Sequence, residues 1–530
     1  MATGHPSPAP RSPRSPFWAS VMARKPLSQV LPHEVEGAPS LARVLGRWEL
    51  TALGIGAIIG AGIFAATGSA IAGGANHLGA GPGIVLSFVV TAIACAFAAL
   101  CYAELAAMVP VAGSAYTYSY VALGELVAWI IGWDLVLEYA VGNIAVAISW
   151  SGYFVELLRT FGVVVPAWLE TDVRTALIAV AERTAGSTDP HVLLSASAWD
   201  DAPRLLGVPI IFNLPAFLVV GVVTIALLFG VRSVARSTGA LVIGKILIVL
   251  FFIAVGAAYF RPENLTAHGG FFPNGWAGVS TAAALVFFAY IGFDAVSTAA
   301  EEAKDPGRTL PFGIIMSLVI CTVLYMLVAV MLVGMAPWDR LGTAEPMVTA
   351  LEYAGGSPQV IAVLQVIVAF GAVLAMTTVL VAFQLGQPRI FFSMARDGLL
   401  PAWAAWVHPK YRTPWVTTIL TGVVVATVAG FANINEVIEL TNIGTLFAFA
   451  LVAAGVLVLR RTDPDRPRPF RLWGAPWTPL LAIGSCLYLM LQLPLITWIR
   501  FLIWLAIGVV IYFVYGRRHR RLATGAAVSG

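Results

Sequence analysis

An apolar run of about twenty residues recurs twelve times along this chain, and that recurrence limits its fold more than any other feature. Each run is close to the length of helix needed to cross about 30 Å of hydrocarbon. The runs lie at about 48–72, 83–108, 124–158, 212–231, 237–260, 277–300, 311–336, 358–386, 414–432, 435–459, 476–495 and 498–516. Composition agrees, since 59% of the 530 residues are hydrophobic and only 11% are charged, against about 25% charged in soluble proteins. Continuous apolar runs, rather than period-two alternation, specify helices and exclude a barrel. The expected fold class is an all-α integral membrane protein with twelve transmembrane helices.

The loops orient these spans. With the amino terminus inside, 23 Lys and Arg fall in inside loops and tails and 7 in outside loops, leaving Lys245 alone within a span. Positive charge is retained on the cytoplasmic side, so both termini are expected there, in a cell inner (plasma) membrane. Residues 1–45, rich in Pro, Ser and Arg, read as a disordered cytoplasmic tail, and 517–530 as a second cytoplasmic tail. The loop at about 160–211 carries six acids against three Arg and faces outward. It fits a solvated loop with a short surface helix, or a lid.

Several function classes drop out. The net charge of +4 is small and its basic residues are spread through loops, so no nucleic-acid partner is expected. The four cysteines sit inside apolar runs and form no disulfide framework. All seven histidines lie in loops or tails, which excludes bis-histidine haem ligation within the membrane and leaves no support for a metal site. No nucleophile–base signature of an enzyme is present. Neither a cofactor nor a metal is expected. A channel is disfavoured because glycine breaks occur in only two spans and no pore-loop repeat is visible; a sensing role stays open.

Those two breaks are the most informative motifs. The first span contains Gly54-Ile55-Gly56-Ala57-Ile58-Ile59-Gly60-Ala61-Gly62-Ile63-Phe64, a glycine density that costs a helix stability. Gly56 and Gly60 also satisfy a GxxxG packing face, which is the alternative reading. The sharper reading is a chain unwound near Ile58 to Gly62. Five spans later, Phe287-Phe288-Ala289-Tyr290-Ile291-Gly292-Phe293-Asp294 interrupts the sixth span with an aromatic cluster, a glycine and an acid. Glycine-interrupted segments in corresponding places of two halves point to a transporter site at the bilayer midplane. A half-helix amino terminus at Ala61 and Gly62 would offer N–H groups to a carboxylate. Freed carbonyls near Ile58 and Phe287 to Ala289 would accept an ammonium, and Phe288 would close over the ligand. An α-amino acid carries both groups.

A midplane charge costs roughly 2.5–3.5 kcal/mol on insertion scales, so each needs a reason. Asp134 and Glu138 lie one helical turn apart in the third span, Lys245 in the fifth and Asp294 in the sixth. Lys245 and Asp294 are read either as a buried salt bridge or as coupling groups, with the lysine standing for a bound sodium ion and the carboxylates exchanging the driving proton. Asp134 is assigned a structural role, near a span end or helix contact. Glu104 and Glu125 are expected at the interface, and Glu301, Glu302, Lys304, Asp305 and Arg308 to fasten a cytoplasmic loop through ion pairs.

GIGAIIGAGIF in span one, FFAYIGFDAVSTAAEEAKDPGRTLPFGI from Phe287 to Ile314 and LGQPRIFFSMARDGLLP from Leu385 to Pro401 resemble the amino acid-polyamine-organocation (APC) superfamily. The lysine of span five and the YAELA, GSAYTYSY and LEY segments between Tyr102 and Tyr139 make the chain most similar to bacterial members of the cationic amino acid transporter (CAT) family. The resemblance spans roughly residues 25–520. It implies a leucine-transporter-type 5+5 inverted repeat with broken helices 1 and 6: residues 46–260 as the first repeat, 261–460 as the second, and 461–516 as two added helices. It implies secondary active amino-acid transport by alternating access, with no enzymatic activity. It places substrate contacts on Ile58, Ile59, Gly60, Ala61 and Gly62 and on Phe288, Ala289, Tyr290 and Ile291, with Phe288 as aromatic gate. It places proton coupling on Lys245, Asp294 and, less directly, Glu138. Where relatives carry Thr or Ser between the two glycines, this chain has Ala61 and loses a hydroxyl contact. The expected function is proton-coupled L-amino-acid symport; the alternative is a sodium-independent exchanger of cationic amino acids or polyamines. Small or branched neutral amino acids are candidate cargo alongside arginine and lysine. The oligomeric state, and a small accessory helix packed alongside, stay open.

Overall fold

The computed structural model describes residues 22–26, 43–74, 77–111, 114–229, 238–267, 269–409, 411 and 413–520. Most of both expected tails lies outside the described residues. Nearly all of the rest is helix, because long apolar runs of Leu, Val, Ala and Ile satisfy their backbone groups internally. In chain order the helices are α1 (Arg47–Ile58), α2 (Gly62–Ala72), α3 (Ile84–Met108), α4 (Ser114–Ala122), α5 (Glu125–Thr160), α6 (Val173–Thr184), α7 (Pro190–Asp201), α8 (Leu214–Leu228) and α9 (Thr238–Ala258). They continue with α10 (Gly275–Val286), the 3-10 helix α11 (Phe293–Glu302), α12 (Pro306–Met335), α13 (Pro346–Glu352), α14 (Pro358–Arg396), α15 (Trp415–Phe431), α16 (Ile434–Thr462), α17 (Trp477–Leu491) and α18 (Leu495–His519).

Among the described residues, eight helical stretches are long and apolar enough to cross a membrane, and nine when α1 and α2, bent by 44° at a short break, count as one. The other three expected spans are the shorter apolar helices α8, α15 and α17. Fifteen to seventeen residues rise only about 22–26 Å as helix, below a full crossing. Proline sits in the first turn of α8 (Pro215) and just before α15 (Pro414) and α17 (Pro476), and its missing N–H fits the start of a helix.

The long helices form one bundle around the two interrupted segments. α5 packs along α14 and α16, α3 along α12, and α12 along α1. The broken stretches sit in its middle, against an aromatic cluster of Phe88, Tyr290 and Tyr325 with ring centroids 5.8–6.2 Å apart.

Both ends are sealed. At the end where Lys25 and Arg520 lie, Glu104 and Glu125 are fully buried rather than interfacial. Arg460 donates to Glu104 through Nε at 2.9 Å and Nη2 at 2.5 Å, with Arg468 3.4 Å away. Glu125 accepts from the Tyr512 hydroxyl at 2.7 Å and from Arg520 at 3.1 Å. These cations lie over 300 residues away in sequence, so no local pattern announces the burial. Lys25 donates to Asp397 at 2.8 Å. The corner after α11 is held mainly by backbone: Leu45 N–H donates to Glu302 O and Lys304 N–H to Leu45 O, both at 2.9 Å. One ion pair there, Arg308 to Asp305 at 3.9 Å, is exposed and worth little.

At the opposite end the acidic loop folds into α6 and α7. Asp172 caps α6 by accepting from Arg174 and Thr175 N–H, and Asp189 caps α7 by accepting from His191 N–H. The pair clamps down on the bundle through Asp189–Arg340, Arg174–Glu436 and His191–Glu352, the last at 3.3 Å.

Candidate functional site

The two sequence-predicted breaks are breaks in the structure, and they touch. α1 ends at Ile58, and Ile59 is extended (φ −71°, ψ 104°) before the chain resumes as a π-helical turn at Gly62–Ala66. In the sixth segment α10 tightens to 3-10 at Phe287–Tyr290, Ile291 is extended (ψ 132°), and Gly292 takes φ +118°. A side chain at Gly292 would be strained, and its Cβ would lie 2.8 Å from Ala57 O. A Cβ at Gly62 would collide with the backbone of Ala289. Glycines are therefore required at both crossings because backbone packs on backbone. The alternative of a continuous α1–α2 helix with a GxxxG face does not survive the break.

The breaks expose main-chain groups, and the protein satisfies them selectively. Lys245 on α9 donates from Nζ to Gly56 O at 2.7 Å and to Ile59 O at 3.1 Å. Tyr325 on α12 donates to Ile58 O at 3.0 Å, and Tyr153 on α5 to Phe64 O at 2.6 Å. Asn442 on α16 donates to Ala284 O at 2.8 Å and Leu285 O at 3.1 Å, where α10 begins to tighten. The orphaned carbonyls at the end of α1 thus receive a cation and a hydroxyl, as the negative end of a helix dipole favours. Among the described residues, the N–H groups of Gly60 and Ala61 find no acceptor. The arrangement leaves donors free on one side of the break and fills much of the acceptor side.

Ile58, Ile59, Gly60, Ala61 and Gly62 face Phe288, Ala289, Tyr290 and Ile291 across this crossing, and all are buried, none of the nine more than 6% exposed among those for which exposure is resolved. The site is shut from both ends in this state. Lys245, Asp294 and Glu138 are buried as well. They form two groups: Lys245 sits on the α1 carbonyls, while Glu138 lies within electrostatic reach of Asp294 and Asp134. Among the described residues no ion pair within 4.0 Å joins Lys245 to a carboxylate, so the buried salt-bridge reading is not met.

Asp134 lies at a contact between α5 and α16, as expected of a structural residue, but its carboxylate is unpaired. It is completely buried, both carboxylate oxygens lack a hydrogen-bond partner, and Oδ1 lies 2.7 Å from where a Cβ on Gly444 would be. Reasoning from sequence also missed Tyr153, Tyr325 and Asn442, each a polar residue inside an apolar run whose partner is a distant backbone carbonyl. Among the described residues no group of three or more His, Cys, Asp or Glu is placed to hold a metal ion.

Comparison with known proteins agrees with this architecture. Residues 45–524 match the family model for amino acid permeases. The chain is 45% identical to the branched-chain amino acid permease BcaP of Bacillus subtilis over 94% of this chain and 98% of that protein. It is 41% identical to the methylthioribose transporter of the same organism over 95% and 99%, and 36% identical to the vacuolar cationic amino acid transporter 4 of Arabidopsis thaliana over 84% and 68%. The chain belongs to the amino acid permease family of the APC superfamily. It is a multi-pass membrane transporter of the amino-acid class, not an enzyme.

Proposed function

We propose that the protein is a proton-coupled symporter of small or branched neutral L-amino acids, working by alternating access between inverted repeats of five spans each. In this reading the three short apolar helices complete twelve spans, both termini are cytoplasmic, and the membrane is the bacterial plasma membrane. The observation that carries it is the contact between the two breaks, with free N–H groups at Gly60 and Ala61 and Lys245 on the neighbouring carbonyls. The N–H groups take the substrate carboxylate. Carbonyls of the sixth-span break around Phe287 to Ala289 take its ammonium, because those of α1 are largely filled. Phe288 covers the ligand, and Asp294, with Glu138 beside it, carries the proton. Lys245 occupies the position a sodium ion would need, which favours proton drive. Apolar side chains also face the crossing, such as Val379 against Gly60, and this suits an aliphatic side chain, as does the similarity to a branched-chain permease.

A thermal-shift screen of the purified protein tests the cargo, since a ligand bound only by the folded state raises its stability by about 2.7 kcal/mol at a hundred times Kd. Leucine, isoleucine, valine or alanine should raise Tm, and arginine, lysine, polyamines and methylthioribose should not. A shift with only the cationic compounds would replace this reading by the exchanger, and a shift with methylthioribose alone would remove the amino-acid cargo.

A further inference from the structure

A second cavity lies outside the closed site, beneath the two-helix layer of α6 and α7. It measures about 320 Å³ and is bounded by Ser69 and Gly73 of the α2 end, the last turns of α5, and the segment 342–345 before α13. That size falls at the small end of ligand pockets, roughly 300–1,000 Å³. Tyr153, at the same level of α5, donates its hydroxyl to Phe64 O in the π turn. The helix that walls the cavity is thereby joined to the break.

The polar lining is unbalanced. Glu156, Glu170, Asp172, Glu182 and Glu345 face it, against Arg159 and His191. Arg159 is spent on Glu156 and Glu170, and His191 on Glu352. Glu345 has nothing comparable. It is 9% exposed, and among the described residues neither a hydrogen bond nor an ion pair within 4.0 Å reaches its carboxylate. Its Oε2 sits 2.6 Å from the position of a Cβ on Gly152, so the absence of a side chain on α5 makes its cradle. Two more acceptors on lining residues, Glu170 Oε2 and Asn435 Oδ1, are buried without a partner. Every unmatched group is an acceptor, and a buried acceptor left unmatched is costly. The missing component is a donor with positive charge.

We propose that this cavity is an outer binding site for the ammonium group of the amino-acid substrate, with Glu345 as its principal contact. A metal ion would need several ligands converging on a point, and among the described residues no such group exists. Burial pushes the Glu345 carboxyl up to about 7, and an arriving ammonium relieves that cost by pairing with its charged form. The site would hold substrate just outside the gate formed by Tyr153 and the π turn, before the central site opens. This inference rests on amino-acid transport as proposed above.

The test uses the full-length protein in lipid nanodiscs and proteoliposomes, with labelled L-leucine and labelled isopentylamine, which keeps the amine and the branched chain but lacks the carboxylate. Wild-type protein should bind two leucines per chain, and Glu345→Gln only one. The KM for uptake should rise about tenfold in Glu345→Gln with the maximal rate unchanged. Gly152→Ala, which pushes the carboxylate from its cradle, should act in the same direction. Isopentylamine should occupy one site that Glu345→Gln removes, and sodium chloride at equal concentration should not displace it. Wild-type stoichiometry and KM in both variants would overturn the outer site, as would displacement by sodium ions alone. If wild-type protein bound isopentylamine at a site lost in Glu345→Gln yet bound no leucine, the outer ammonium site would stand and amino-acid transport would fall.

Discussion

Lys245→Met is expected to lower uptake at least about tenfold and to abolish its dependence on a proton gradient, while the protein still inserts and stays folded. Methionine keeps most of the apolar stem and removes the charge. The wild-type Nζ donates to Gly56 O at 2.7 Å and Ile59 O at 3.1 Å. Hydrogen bonds from a charged donor contribute about 1.5–3 kcal/mol each, so the pair fixes the unwound end of α1 by several factors of ten in population. Without it those carbonyls are buried acceptors with no donor, and the break has no reason to hold one conformation. Arginine would keep the charge, but its planar fork does not fit a place built for a point charge. Lys245→Arg should therefore restore little. Uptake by proteoliposomes at matched protein levels, with and without a pH gradient, gives the result; unchanged rate and unchanged gradient dependence in Lys245→Met would remove the lysine from the coupling scheme.

Gly62→Ala should be nearly as severe and for a different reason. Its new methyl would meet the main-chain Cα of Ala289, and backbone cannot swing aside as a side chain does. The two breaks must separate, at an overpacking cost of about 1–3 kcal/mol or more, and the surface that cradles the substrate changes shape. Transport should fall at least about tenfold and Tm should drop. Two other glycine substitutions bound the effect. At Gly60 an added Cβ would lie 3.0 Å from a terminal methyl of Val379, which can give way, and at Gly221 nothing lies within 4 Å. Gly60→Ala should be mild in stability, and Gly221→Ala silent. Equal losses in all three would show that glycine matters here only through helix flexibility, not through the crossing of the breaks.

The breaks were legible because a membrane helix has few reasons to carry glycine at Gly54, Gly56, Gly60 and Gly62, and Lys245 was legible because a lone cation in an apolar run is costly. What Lys245 touches was not legible, since Gly56 and Ile59 lie more than 180 residues away and main-chain acceptors leave no mark in composition. The same holds for Tyr325 and Asn442, whose partners are carbonyls, and for Glu104, whose partner Arg460 lies in the last turn of α16, 356 residues away. Asp134 was legible as a helix contact, and it packs on Gly444 of α16; that both its oxygens go unpaired was not legible, because no sequence pattern reports a missing partner. The lengths of α8, α15 and α17 were overestimated because hydropathy does not mark where a helix starts, whereas proline at or just before the first turn does. The acidic segment at 160–211 was legible only as a loop with a short surface helix; its caps Asp172 and Asp189 and the ion pairs that close it over the bundle, to Arg340, Glu352 and Glu436, are set by the folded structure.

Proton-driven movement of a neutral amino acid through the paired breaks is the central claim, and labelled leucine uptake into proteoliposomes measures it directly. With the outside at pH 6 and the inside at pH 8, and no sodium present, leucine should accumulate above its outside concentration, and a protonophore should discharge it. Uptake that ignores the gradient and requires amino acid already inside the vesicle would contradict the claim and identify an exchanger.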